Sequence, residues 1–198
     1  MRRSYPRSSV VYHRGDDTGS VIVLIEGRVK VCAPGDDGHT AVLGFRGPGD
    51  LLGELGVIDG RARSASVETL EAVTALVCPR REFRALVDAS PAVSGALQEV
   101  VVDRLRHADA ERAEFGSHDV LGRVARRLCE LADRFGEESR DGIEITLPLT
   151  QEELANWCGA SREAVSKALT QMRELGWIET RRRAVVITDE DRLRSYSA

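Results

Sequence analysis

The sequence predicts an α+β chain in three parts: a strand-rich N-terminal region, one long helix, and a helical C-terminal region that closes in a hairpin. Three observations predict it. Short apolar runs of period two, broken by Gly-rich turns, fill the chain up to about residue 80. From Ser90 the apolar spacing becomes helical and stays so to about Phe115. Beyond residue 118 three further helices, a glycine turn and a final strand pair can be read.

In the first region Val21, Val23 and Ile25 alternate with other residues until Gly27 breaks the run. Val29 and Val31 continue it, and Pro34-Gly35-Asp36-Asp37-Gly38 reads as a hairpin turn. Ala41 to Phe45 is another strand, closed by Gly47-Pro48-Gly49-Asp50; Val67 and Val73 to Val77 supply later ones. The β-region starts late on this reading, with no strand assigned before residue 20. Many short strands with regular turns describe a small sandwich or barrel. Arg81 to Asp88 then reads as a short helix. Ser90 suits the N-cap and Pro91 the first position of the long helix. Val93, Leu97, Val100, Val101, Leu105 and Ala108 form a rough apolar stripe, interrupted by Asp103, Arg104 and His107, which fits a dimer-forming coiled coil or a helix packed on its own sandwich. Gly116-Ser117-His118-Asp119 is a polar break and candidate hinge, Val120 to Phe135 a helix, and Gly136 to Gly142 a charged loop. The domains expected are therefore 1–89, 90–117 and 118–198.

Composition narrows the function classes. The chain has 198 residues and a formal net charge of −4. No apolar run approaches the roughly 20 residues that span a membrane, and no apolar stretch follows the basic N-terminus, so a cytoplasmic protein is expected. The four cysteines, Cys32, Cys78, Cys129 and Cys158, are widely spaced and read as buried reduced thiols. His13, His39, His107 and His118 are scattered, with no two at metal-ligand spacing. No nucleophile motif, phosphate-binding loop of the Walker type or dinucleotide fingerprint occurs. An enzyme on a cupin-like barrel is therefore a poor fit.

The C-terminal region carries the clearest signature. Thr150 caps a helix and Glu153 completes a capping box; Leu154, Ala155 and Trp157 are its buried side. Gly159 can take a positive φ in the tight turn Cys158-Gly159-Ala160. Ser161 caps a second helix, Arg162 to Leu175, whose inner face is Val165, Ala168, Leu169 and Met172. Arg162, Glu163, Ser166 and Lys167 fall mostly on the other face, near the end that enters the major groove in a helix-turn-helix. Arg can hold guanine O6 and N7, and Glu can accept from cytosine N4. Gly176 ends this helix, and Trp177 to Thr180 with Ala184 to Ile187 form a wing tipped by Arg181, Arg182 and Arg183, a place to meet phosphate. Residues 118–198 hold 13 Lys+Arg against 15 Asp+Glu, so any basic face must be local.

The stretch Leu149-Thr150-Gln151-Glu152-Glu153-Leu154-Ala155 with Gly159-Ala160-Ser161-Arg162-Glu163-Ala164-Val165-Ser166-Lys167-Ala168-Leu169 resembles the helix-turn-helix of the Crp/Fnr family. His118 to Ala125 is similar to that family's hinge and following helix. The resemblance implies a cyclic-nucleotide-binding β jelly roll, a long dimerisation helix over 90–117 and a winged helix-turn-helix. It assigns DNA contacts to Thr150, Gln151, Ser161, Arg162, Glu163, Ser166, Lys167 and Arg181 to Arg183, with Arg162, Glu163 and Lys167 as base readers. Lys167 stands where well-known members often have Arg, so the charge is kept and the bidentate fork is lost. Leu52-Gly53-Glu54-Leu55-Gly56 and Arg63-Ser64-Ala65-Ser66 are similar to the family's phosphate-binding cassette. On that resemblance Gly53, Glu54, Leu55, Arg63, Ser64 and Ala65 hold the ligand: Arg63 neutralises a cyclic phosphate, Ser64 donates a hydrogen bond, and Glu54 accepts from a ribose hydroxyl. The simpler alternative pairs Glu54 with Arg63. Where relatives place hydroxyls for the base, this chain has His107, Ala108 and Asp109, the candidate base contacts.

The expected protein is a homodimeric, sequence-specific DNA-binding transcription regulator with no required cofactor. Its expected effector is a cyclic nucleotide, cAMP first. Its expected partners are a two-fold symmetric operator, a second copy joined through 90–117, and RNA polymerase, with no membrane. The alternative is a ligand-independent DNA binder with a degenerate sensor domain.

Overall fold

The computed structural model describes residues 1–35, 40–117, 119–181 and 184–197, the side chains of 113–117 excepted. The chain divides into two compact units, Met1–Glu111 and Arg112–Ala198. The division falls inside the 90–117 segment expected as the long helix.

The first unit is a pair of four-stranded antiparallel sheets with helices after them. Its elements are β1 (Arg2–Tyr5), β2 (Val10–Tyr12), β3 (Ser20–Glu26), β4 (Val29–Pro34), β5 (Thr40–Arg46), β6 (Leu51–Leu52), α1 (Glu54–Asp59), β7 (Ser66–Thr69), β8 (Val73–Pro79), α2 (Arg80–Ala89) and α3 (Pro91–Ser117). The sheets run β1-β8-β3-β6 and β2-β7-β4-β5. Their inward residues, among them Ile22, Leu24, Val29, Leu52, Val67, Val73 and Ala75, form one core. Tyr5 joins that core, so β1 and β2 belong to the fold although the sequence reading began it later. Both are edge strands, and edges tolerate the polar Arg2-Arg3-Ser4 pattern that hides a period-two signal. The turn residues Asp36, Asp37 and Gly38 lie outside the described residues, but β4 and β5 pair across them from Val29↔Arg46 to Pro34↔Thr40. A second cluster, Val21, Val57 and Phe83, receives Leu97 from α3. The amide of Val93 points to the Ser90 hydroxyl at 3.4 Å, in keeping with the expected cap.

The second unit holds α4 (Val120–Phe135), β9 (Gly136–Ser139), β10 (Gly142–Ile145), α5 (Gln151–Cys158), α6 (Arg162–Glu174), β11 (Ile178–Arg181), β12 (Ala184–Ile187) and α7 (Glu190–Tyr196). Its sheet runs β11-β12-β10-β9. The expected charged loop 136–142 is therefore corrected: most of it is β9, an edge strand paired to β10 from Gly142↔Ser139 to Ile145↔Gly136. Gly136-Glu137-Glu138-Ser139 has no apolar alternation because it adds backbone, not side chains, to the sheet. The expected hinge is narrower too. Gly116 and Ser117 are helical, His118 lies outside the described residues, and Asp119 caps α4 by accepting from the Gly122 amide at 2.8 Å. The closing helix α7 was not foreseen; it docks through buried Leu193.

Among the described residues no single helix is long and apolar enough to cross a membrane. All four cysteines are free, and burial pushes the Cys129 thiol up, which keeps it protonated and unreactive. No cluster of three metal-ligating side chains occurs among the described residues.

Candidate nucleotide pocket and DNA-reading face

The pocket lies in the first unit. A small cavity of about 60 Å³ is lined by Tyr12, Val31, Arg46, Leu52 and Arg104 together with Gly53 to Gly56 and Arg63 to Ala65. All six expected ligand residues, Gly53, Glu54, Leu55, Arg63, Ser64 and Ala65, therefore meet here. Backbone geometry builds their frame. β6 pairs with β3 through Ile22↔Leu52 and Val23↔Leu51 and delivers the chain to Gly53. The returning loop is tied to the turn at residues 15–16, where the Arg63 amide donates to the Asp16 carbonyl and the Gly15 amide donates to that of Arg63, each at 2.9 Å. Gly53 sits at φ 78°, the left-handed region. A Cβ there would also lie 1.7 Å from Arg63 Nη1, so the position requires glycine twice over.

Arg63 is buried, only 6% exposed. Its Nη1 donates to the Gly53 carbonyl at 2.8 Å and its Nη2 to the Ser20 carbonyl at 2.6 Å. Its guanidinium stacks on the Tyr12 ring at 4.3 Å. Its Nε has no hydrogen-bond partner. Glu54 is 1% exposed and pairs with Arg104 of α3, not with Arg63, so the simple Glu54–Arg63 pairing is excluded. Arg104 also donates to the Leu51 carbonyl. Glu54 Oε2 has no partner. Burial pushes the Tyr12 phenol up to about 12, against the opposing Arg63 charge, so the ring is neutral at any physiological pH.

The expected base contacts His107, Ala108 and Asp109 do not line this pocket; all three are exposed on α3, and within one chain the residue that α3 contributes is Arg104. Arg104 did carry a sequence signal, as a charge interrupting an apolar stripe. Tyr12 and Arg46 carried none, because only the sheet order β2-β7-β4-β5 brings them to the cassette.

The DNA-reading face lies in the second unit. The capping box forms: Thr150 Oγ1 accepts from the Glu153 amide at 3.1 Å, and Glu153 Oε2 accepts from the Thr150 amide at 2.9 Å. Gly159 takes φ 58° in the turn, and Ser161 Oγ accepts from the Ala164 amide at 3.2 Å. Val165, Ala168, Leu169 and Met172 are buried as expected. Two arginines of α4 lock α5 in place. Arg123 Nε donates to the Cys158 carbonyl at 2.9 Å, and Arg127, buried, stacks on Trp157 at 4.9 Å and pairs with Glu130. This leaves Thr150, Gln151, Ser161, Arg162, Glu163 and Lys167 exposed and Ser166 half-buried. Lys167 Nζ and Glu163 Oε1 form an i,i+4 pair at 2.9 Å. An exposed pair of this kind contributes little and is easily exchanged for other partners.

Of the expected basic tip of the wing, only Arg181 is described. Arg182 and Arg183 lie outside the described residues. Arg181 does not stand alone toward solvent: it bonds Asp141 of the β9–β10 turn and Glu179, 3.2 Å away, with Glu144 at 3.8 Å.

Comparison with known proteins finds a family match for each region. The family description "Cyclic nucleotide-binding domain" matches residues 2–90, and "Crp-like helix-turn-helix domain" matches residues 122–196. A "CRP-like cAMP-activated global transcriptional regulator" of Mycobacterium tuberculosis is 36% identical over 189 residues, which span 96% of this chain and 84% of the relative. Among solved structures, a CRP-family transcriptional regulator from Thermus thermophilus matches with a TM-score of 0.82 at 26% identity, covering 98% of this chain and 96% of its own. The c-di-GMP responsive global regulator CLP of Xanthomonas campestris matches with a TM-score of 0.80 at 26% identity, covering 94% and 93%.

Proposed function

The chain belongs to the Crp/Fnr family of DNA-binding transcription regulators, and from that premise we propose that it is a homodimer whose grip on DNA is set by a cyclic-nucleotide-type phosphate ligand bound at Arg63. One observation carries the ligand half: Glu54 Oε2 and Arg63 Nε belong to residues lining one cavity, and both are buried without partners. Buried polar groups are rarely left unsatisfied, and each costs about 1–3 kcal/mol until something completes it. A ligand offering an anion to Arg63 and a hydroxyl to Glu54 would complete both. A degenerate sensor has no reason to keep this arrangement.

Arg63 supplies charge. Ser64 supplies a donor at the cavity wall. Gly53 keeps the backbone clear so that an anion can approach. Arg104 couples the pocket to α3, because the Glu54 that meets the ligand is the same Glu54 that holds Arg104. A ligand that draws on Glu54 therefore alters the restraint on the long helix, and so shifts the population of its settings. Beyond Val101 the apolar stripe of α3 is exposed in a single chain, with Leu105 61% exposed. A second copy of α3 would cover it. His107, Ala108 and Asp109 would then reach a base only from that second copy.

At the output end Arg162, Glu163 and Lys167 read base edges in the major groove. Thr150, Gln151, Ser161 and Ser166 position them on phosphate, and the wing adds Arg181 to Arg183. Two such helices in a dimer fit half-sites about one helical turn apart. RNA polymerase is the partner at the promoter, and the cytoplasm the compartment.

The test combines calorimetry with DNA binding. cAMP is the first nucleotide to try, because the M. tuberculosis relative is named for it. The full chain should bind a nucleotide, and an Arg63→Ala variant should lose that binding while the second unit melts unchanged. An absence of heat with every nucleotide, together with DNA affinity unaffected by Arg63→Ala, would establish the ligand-independent alternative.

A further inference from the structure

We propose that Tyr12 is a positioning residue for phosphate capture: its ring covers one face of the Arg63 guanidinium, so that an anion is received along the guanidinium edge and not on its face. This rests on reading the cavity as a nucleotide site, and it adds a residue to that site from outside the cassette. Three observations carry it. Tyr12 lines the cavity and stacks on Arg63 at 4.3 Å. Arg63 is held in its own plane at two places, by the Gly53 carbonyl through Nη1 and by the Ser20 carbonyl through Nη2. Its third nitrogen, Nε, is buried, lies in the same plane and has no partner. Planar carboxylate and phosphate recognition by arginine runs along that edge, and it requires the plane to be fixed. Two in-plane bonds alone leave both faces open. The ring closes one of them.

The backbone is arranged so that ring and guanidinium move together. β2 pairs with β7 at Tyr12↔Val67, and the pairing shifts register between Val10 and Tyr12. Irregular pairing of this kind re-aims the side chain that follows it. Immediately after Tyr12, the His13 amide donates to Asp16 Oδ2 at 2.8 Å and the Arg14 amide to Ser66 Oγ at 2.9 Å. With the Gly15 and Asp16 bonds to Arg63, the segment after Tyr12 is fastened to the segment that carries Arg63. The phenol is neutral, because burial raises it to about 12. The contact is therefore an attraction between a cation and a ring, not an ion pair, and it does not need the hydroxyl.

The experiment compares Tyr12→Phe and Tyr12→Leu in the full-length chain. Calorimetry uses cAMP, cGMP and cyclic di-GMP. For whichever binds the wild type, Tyr12→Leu should weaken affinity about tenfold, and Tyr12→Phe should stay within about threefold. A second readout needs no ligand. In arginine-selective nitrogen–proton spectra, the Arg63 Nε–H signal, identified by its loss in Arg63→Ala, should carry a ring-current shift. Tyr12→Phe should keep that shift and Tyr12→Leu should abolish it. A residue serving only to fill the core would lower the melting temperature in Tyr12→Leu and leave nucleotide affinity, measured well below that temperature, unchanged. Affinity unchanged in Tyr12→Leu, or equally lost in both variants, overturns the proposal while leaving the nucleotide pocket standing. Failure of the wild type to bind any of the three nucleotides overturns the pocket reading, and this inference with it.

Discussion

The two sites of this chain are built in opposite ways. The pocket joins the segment Gly53 to Ala65 to single side chains from β2, β4, β5, β6 and α3, and its candidate working groups, Glu54 and Arg63, are almost completely buried. The DNA-reading face takes nearly all its groups from one continuous stretch, Thr150 to Lys167, and holds them exposed on a buried apolar underside. On the proposed function the pocket works by leaving buried polar atoms incomplete, which costs stability until a ligand arrives. The reading face works by rigid presentation, and its polar groups are content in water without DNA. A ligand has much to change in the first and little to change within the second. Control must then act on where the reading faces are held and not on how each is made.

That contrast can be broken by substitutions, beginning with the largest expected effect. Met172→Ala empties a fully buried site under the reading helix and should cost about 2–5 kcal/mol. Thermal melting should show the loss, and DNA binding should fail while nucleotide binding survives; loss of both would deny that the two regions are separately built. Next, Arg162→Ala removes an exposed group from the helix surface, so the melting temperature should stay put. Specific DNA affinity should fall by about 1–3 kcal/mol and discrimination at one base pair should relax. An unchanged gel shift would remove Arg162 from the base readers. Thr150→Ala breaks the capping box and should cost about 1 kcal/mol in the second unit, seen as a modest drop in melting temperature. The smallest effect belongs to the wing. Asp141→Asn loosens the carboxylates around Arg181 and should raise affinity for DNA of any sequence about two- to threefold, with a steeper salt dependence. A sequence-selective gain would mean that Arg181 reads a base.

The same contrast explains what the chain disclosed before folding. A capping box, a left-handed glycine and a second cap are local, each set by residues a few positions apart, so Thr150, Gly159 and Ser161 could be read directly. The cassette was legible for a similar reason, since Gly53 to Ala65 is one short segment. Tyr12 and Arg46 were not, because their membership depends on strand order, and Arg104 showed only as a charge interrupting an apolar stripe, its place in the pocket depending on how α3 lies against its own sandwich. β1, β2 and β9 escaped for a different reason. All three are edge strands: β1 and β9 are mostly polar, β2 is the three-residue apolar run Val10-Val11-Tyr12, and none is long enough to show the alternation that comes from burying one side. The carboxylates beside Arg181 were not legible either. Asp141, which meets Arg181, is 40 residues away in sequence and adjacent only through the sheet order β11-β12-β10-β9.

The central claim is that an anion at Arg63 controls the hold on DNA. The direct measurement is fluorescence anisotropy of a two-fold symmetric duplex, enriched from random sequence by the protein itself, titrated with the full chain with and without the best-binding nucleotide. Affinity should rise about tenfold or more with nucleotide, and Arg63→Ala should bind the duplex equally in both conditions. A wild-type chain whose DNA affinity is the same with and without bound nucleotide would contradict the account.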